Sequence, residues 1–121
     1  MQFSAMVFAA IGIAGSVTAL DINCKGNGNC ASQGDDALTE VHNKILALGQ
    51  GSTFSNGQHI ACAGGTGQAC AFYQNLVGTQ TAAQAAQHVA NLLDHGCKTC
   101  GSDPTDGSNV SNGELTVNWV S

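Results

Sequence analysis

Apolar residues recur along the chain with different spacings, and each spacing predicts a different element. In "DDALTEVHNKILALG", residues 35–49, Leu38, Val41, Ile45 and Leu48 stand three, four and three apart and form one stripe of a helix. Asp35 or Asp36 suits the start of that helix, and Gly49 is the expected stop. "TAAQAAQHVANLLDHG", residues 81–96, predicts a second helix. Thr81 and Gln84 fit a capping box, and Gly96 fits a left-handed C-terminal cap. Ala82, Ala85, Ala86, Val89, Leu92 and Leu93 form its apolar face, where so many alanines imply close approach to a sheet or to the other helix. Between the helices, "GQHIACAGG" and "ACAFYQNLV" read as short strands around a Gly-rich turn. The closing "GELTVNWVS" alternates, with Leu115, Val117 and Trp119 on one face and Thr116 and Asn118 on the other. There is no internal repeat and no linker, so the pattern predicts one α+β domain.

The first nineteen residues break this pattern. From Ala5 to Ala14 nearly every residue is apolar or Gly, and Val17 and Ala19 occupy the small-residue positions of a cleavage site. The run is too short to cross a bilayer core of about 30 Å. Residues 1–19 are therefore expected to be a secretory signal peptide, with the domain occupying 20–121 and exported to the extracellular space.

Export changes how the six cysteines are read. Cys24, Cys30, Cys62, Cys70, Cys97 and Cys100 all follow the signal. The C-x-x-C at Cys97 and Cys100 would read as a redox pair or half a zinc site in a cytosolic chain, whereas an even count in a short exported chain reads as a disulfide framework. Spacing alone does not choose the partners. The charge balance narrows the function: three lysines and no arginine stand against eight acids, for a net charge of −5. No basic face for nucleic acid or anionic lipid can be assembled from that set. The remote alternative, a secreted hydrolase such as a ribonuclease, would have to draw on His42, His59, His88 and His95 with Glu40, Asp94 or Glu114. His42 and His88 lie beside apolar stripes as boundary residues, and His95 adjoins the Gly96 cap. No catalytic residue, cofactor or metal is expected.

The two ends of the domain carry a specific resemblance. "LDINCKGNGNC" and "HGCKTCGSDPTDGSNVSNGELTVNW" are similar to the corresponding motifs of the KP-four killer toxin family, known from a virus of smut fungi. The resemblance spans the domain, strongly at both ends and weakly between about Gln50 and Gly78. It implies an α/β sandwich, a small antiparallel sheet carrying two antiparallel helices on one face. It implies Cys24–Cys97 and Cys30–Cys100. Cys62 has a family counterpart that bridges to a C-terminal cysteine; no cysteine follows Cys100 here, so Cys62–Cys70 is expected. The resemblance further implies a monomeric, non-enzymatic toxin that inhibits susceptible cells, with block of calcium uptake through channels as the mechanism and a cell-surface channel as the partner. The alternative is an interaction effector without killing activity. Toxins of the smut type are basic, and His59 and Ile60 stand where a basic stretch is expected. Lys25 and Lys98, each beside a cysteine of the implied bridges, are the candidate target contacts. Asn109-Val110-Ser111 is an N-glycosylation sequon in a polar turn.

Overall fold

The computed structural model describes residues 21–34, 36–64 and 68–120. The expected signal peptide, residues 1–19, lies outside these. The elements are α1 (Ala37–Leu46), β1 (Thr53–Phe54), β2 (Ala61–Ala63), β3 (Gln68–Gln74), β4 (Gln80–Thr81), α2 (Ala82–His95), β5 (Gly101–Pro104) and β6 (Glu114–Val120). Four strands form an antiparallel sheet in the order β2-β3-β6-β5, and β1 pairs with β4 in a separate ribbon. The architecture is α+β and disulfide-stabilised.

Register decides which residues meet the helices. Ala63 pairs with Ala69, Ala71 with Val117 and Tyr73 with Leu115, so these six share one face. All are fully buried, in a core with Leu38, Val41 and Ile45 of α1 and Ala85, Val89 and Leu92 of α2. Alanines on β2 and β3 keep that part of the sheet low, so α1 settles on it directly while α2 covers β5 and β6. Burial also pushes the Tyr73 phenol above its usual range, and its hydroxyl donates to the Thr81 carbonyl at 2.9 Å.

The helix ends differ in what secures them. Both halves of the Thr81–Gln84 capping box form, and Gly96 closes α2 at φ 100°. The first helix departs from expectation at both ends. Asp36 sits at its N-cap without a side-chain cap bond, and Asp35 lies outside the described residues. The helix ends at Leu46, three residues before Gly49. There the Gln50 amide donates to the carbonyls of Ile45 and Leu48, at 3.0 and 2.9 Å, satisfying groups that a helix end leaves open.

The second face of the sheet is also covered, which alternation in β6 did not foretell. Thr116 is only 5% exposed. Its hydroxyl meets that of Ser102 at 2.9 Å, and Asn118 accepts the Asn27 N–H at 2.8 Å. The N-terminal segment thus first pairs Asn23 with Ser102 along the β5 edge, then turns across the back of the sheet in a 3₁₀ turn, Gly28–Gln33. At the opposite edge, the Lys44 ammonium donates to the Cys62 carbonyl at 2.7 Å. Both sheet edges are therefore occupied, which opposes strand addition by another chain.

Disulfides Cys24–Cys97 and Cys30–Cys100 hold the N-terminal segment in place, at sequence separations of 73 and 70. Closing loops of that size stabilises by about 4 kcal/mol each in the chain-entropy model. Cys62–Cys70 closes a separation of only 8, worth about 2.5 kcal/mol in the same model.

Each residue of the run C-G-S-D-P after α2 has its own structural role. Cys100 anchors the N-terminal turn. Gly101 leaves room for it: a Cβ there would stand 2.6 Å from the Asn23 carbonyl oxygen and 3.0 Å from Leu92 Cδ2. Ser102 pairs through its backbone with Asn23 and through its hydroxyl with Thr116. Asp103 faces α2, where its Oδ2 lies 2.7 Å from His88 Nδ1 and accepts from Asn91 Nδ2 at 2.9 Å. Pro104 ends the strand at the sheet edge, a place that tolerates its missing N–H.

The Gly101 contact sets a test. Gly101→Ala should lower stability by about 1–3 kcal/mol, because the overlapping atom is backbone and is pinned by two bridges. Gly28→Ala, with nothing within 4 Å of the added carbon, should stay within about 0.5 kcal/mol. Thermal unfolding followed by circular dichroism compares the two; equal loss in both would remove the steric argument.

Candidate functional site

The cations of the chain fall into two groups. Lys44 is engaged: it pairs with Glu40 at 3.0 Å and donates to the Cys62 carbonyl. Lys25 and Lys98 are exposed, and among the described residues neither has a carboxylate within 4.0 Å. Each follows one half of the same disulfide, Cys24–Cys97, whose Cα atoms are 5.2 Å apart. The backbone on either side is fixed. Asn23 Oδ1 accepts the Lys25 N–H at 2.9 Å, and the Lys98 carbonyl accepts the Leu38 N–H at 3.0 Å. The covalent bridge and these two bonds fix the backbone beside both lysines. Flexible stems ending in compact charges suit recognition of carboxylate oxygens.

The histidines are dispersed. His42 is half-buried on α1, and His95 is exposed at the end of α2. His88 pairs with Asp103, at 13% and 8% side-chain exposure, and stands edge-on to Tyr73 with ring centroids 6.4 Å apart. With Asn91 on the same carboxylate oxygen, this cluster ties α2 to β5. Sequence reasoning missed it. The two residues are fifteen apart on different elements, and only the sheet register turns Asp103 toward the helix. Glu114, another carboxylate weighed for catalysis, accepts from Thr116 Oγ1 at 2.6 Å. Asp94 is exposed near the end of α2.

His59 occupies a different setting. It is exposed, with its ring 5.9 Å from that of Phe72. Its ring nitrogen and the sulfurs of Cys62 and Cys70 all lie within 4.8 Å of one another. The sulfurs are bonded to each other, so the group in this state is a disulfide beside an imidazole. Ile60, adjacent, is buried at 7% exposure and belongs to the core.

The sequon lies in the β5–β6 connection. Asn109 Oδ1 accepts the Ser111 N–H at 2.9 Å and the Ser111 hydroxyl at 2.6 Å. Asp106 organises the preceding turn. It accepts from the backbone N–H groups of Asn109 and Ser108 and from the Asn112 amide, which together bring its carboxyl down to about 2. Among the described residues, no helix is long and apolar enough to cross a membrane.

The sequence profile of the family described as Kp4 matches residues 7–121. The chain is also similar to the KP4 killer toxin of Ustilago maydis P4 virus, with 37% identity over 106 residues, covering 86% of this chain and 83% of that protein. A profile matched over most of the length and a relative matched over most of both chains fix the assignment, and the chain belongs to the Kp4 killer toxin family.

Proposed function

We propose that this protein is a secreted, monomeric killer toxin that inhibits the growth of susceptible cells by interfering with calcium uptake through a surface channel. Lys25 and Lys98 are the groups that contact the target. The observation that carries the reading is the similarity to a named killer toxin over 86% of the chain. The two exposed lysines supply a physical means: ammonium groups suit the carboxylate rings that select cations in a pore. Residues 1–19 supply the export signal in this reading. The protein acts from outside the membrane without inserting stably, and it uses neither nucleic acid nor a catalytic step.

One observation favours a second reading. The net charge is −5, and neutral Ile60 with His59 stands where the smut-type toxins are basic. A chain of that charge suits an effector that binds a surface partner without killing.

Two tests separate the parts of the proposal. Purified protein should inhibit a panel of fungi in dose–response, and added calcium should relieve the inhibition. Replacing Lys25 and Lys98 together by Gln should leave the melting curve within about 0.5 kcal/mol of the parent yet reduce potency at least tenfold. Unchanged potency in the folded double variant would refute the lysine contact and favour the effector. Asn109 should carry an N-glycan when the full chain is exported from a eukaryotic host. The product should lose mass on enzymatic deglycosylation, and Ser111→Ala should abolish that loss. An unshifted parent would show that the sequon is unused.

A further inference from the structure

We propose that the second face of the sheet, around Phe72, is a binding site for a neutral polysaccharide. Phe72 and His59 form its stacking surface, and Gln74 and Glu114 form its hydrogen-bonding rim. The site shares no residue with the Lys25 and Lys98 contacts, and it stands whether or not the protein kills.

Register gathers these residues. Phe72 and Gln74 are alternate residues of β3, on the face opposite to Ala71 and Tyr73, and their partners across the ladder are Thr116 and Glu114 of β6. On the other side of β3 runs the segment that precedes β2. There the Gly57 and Ile60 N–H groups donate to the Tyr73 and Ala71 carbonyls, each at 2.8 Å. Those bonds hold His59 beside Phe72, with ring centroids 5.9 Å apart and planes inclined by 38°. Beyond the stretch that the N-terminal segment covers, Phe72 is half-buried, and His59 and Gln74 are exposed.

The rim is ordered from beneath. Thr116 Oγ1 donates to Glu114 Oε1 at 2.6 Å. That uses the only hydroxyl hydrogen of Thr116, so Ser102 is the donor in the 2.9 Å contact between the two hydroxyls. Ser102 and Thr116 are both buried. Asn75 Nδ2 donates to the second carboxylate oxygen, Oε2, at 3.4 Å. A chain of hydrogen bonds thus sets the Glu114 carboxylate opposite Gln74 before any ligand arrives, which lowers the ordering cost of binding.

The chemistry of this surface matches a sugar. A pyranose ring presents an apolar face of C–H groups and a rim of hydroxyls. The C–H groups pack on the negative face of an aromatic ring. The hydroxyls donate to a carboxylate, and they both donate to and accept from a carboxamide. The charge pattern then selects among sugars. From Ile45 to Leu93 the chain contains no Asp, Glu, Lys or Arg, so His59, Phe72 and Gln74 belong to an uncharged stretch. The charge on the rim is that of Glu114, and it is negative. An anionic sugar would meet repulsion there with no cation to offset it, so the ligand is neutral.

The test titrates the exported protein, bridges intact, by calorimetry. The probes are a soluble β-glucan and a mannan, both neutral, and polygalacturonate, which is anionic. At least one neutral polymer should bind saturably, and polygalacturonate about tenfold more weakly or not at all. His59→Ala and Gln74→Ala should each weaken binding of that neutral polymer by about fivefold or more. Both side chains are exposed, so circular dichroism melts should match the parent. Phe72→Ala should abolish binding; because Phe72 is half-buried, the two exposed positions decide the outcome if that variant does not fold. The proposal fails if neither neutral polymer binds or if polygalacturonate binds as tightly as they do. It also fails if either His59→Ala or Gln74→Ala binds as tightly as the parent.

Discussion

The structure depends on a covalent constraint: two disulfides tie the first residues of the domain to the short segment that follows α2. Cys24–Cys97 and Cys30–Cys100 are separated by only a few residues at each end but by 73 and 70 residues along the chain. Between them they fix both the position and the direction of the N-terminal segment. That segment supplies Asn23 to the free edge of β5 and lays Asn27 across the back of β6. Without the bridges, few apolar contacts would hold it there, because Lys25, Gly26, Asn27, Gly28 and Asn29 bring no hydrophobic side chain. The helices cover one face of the sheet by ordinary burial. The other face is covered because cross-linking forces a polar segment onto it.

The same constraint fixes the backbone beside the two exposed lysines. A disulfide joins the neighbours of Lys25 and Lys98, and among the described residues neither lysine has a carboxylate within 4.0 Å. The remaining surface is acidic. Exposed charges of either sign are screened beyond about 10 Å at 0.1 M salt. Family membership supplies the killer-toxin character. The net charge of this chain is −5.

Much of the fold was legible in the sequence because it is locally encoded. The α2 boundaries follow from Thr81, Gln84 and Gly96, whose side chains and φ preferences act within one turn. The core stripe of Leu38, Val41 and Ile45 follows from helical spacing. What was not legible is nonlocal. The burial of Thr116 needs Ser102 and the N-terminal segment. The orientation of Asp103 toward His88 needs the β5–β6 register. The early end of α1 at Leu46 replaces the expected Gly49 stop, because a glutamine amide closes the last carbonyls as well as a left-handed glycine would. Of the candidate site, the two lysines were nameable from their place beside cysteines. Their joint placement rests on a pairing that cysteine spacing alone does not determine. The closeness of His59 to the Cys62–Cys70 bridge was not legible, since spacing gave no register for the β2–β3 hairpin.

The central claim is the tie between the N-terminal segment and the C-x-x-C, and peptide mapping under non-reducing conditions tests it most directly. Digestion of the folded protein should yield peptides that join Cys24 to Cys97 and Cys30 to Cys100. A peptide containing an internal Cys97–Cys100 bond, or one joining Cys24 to Cys30, would contradict the account.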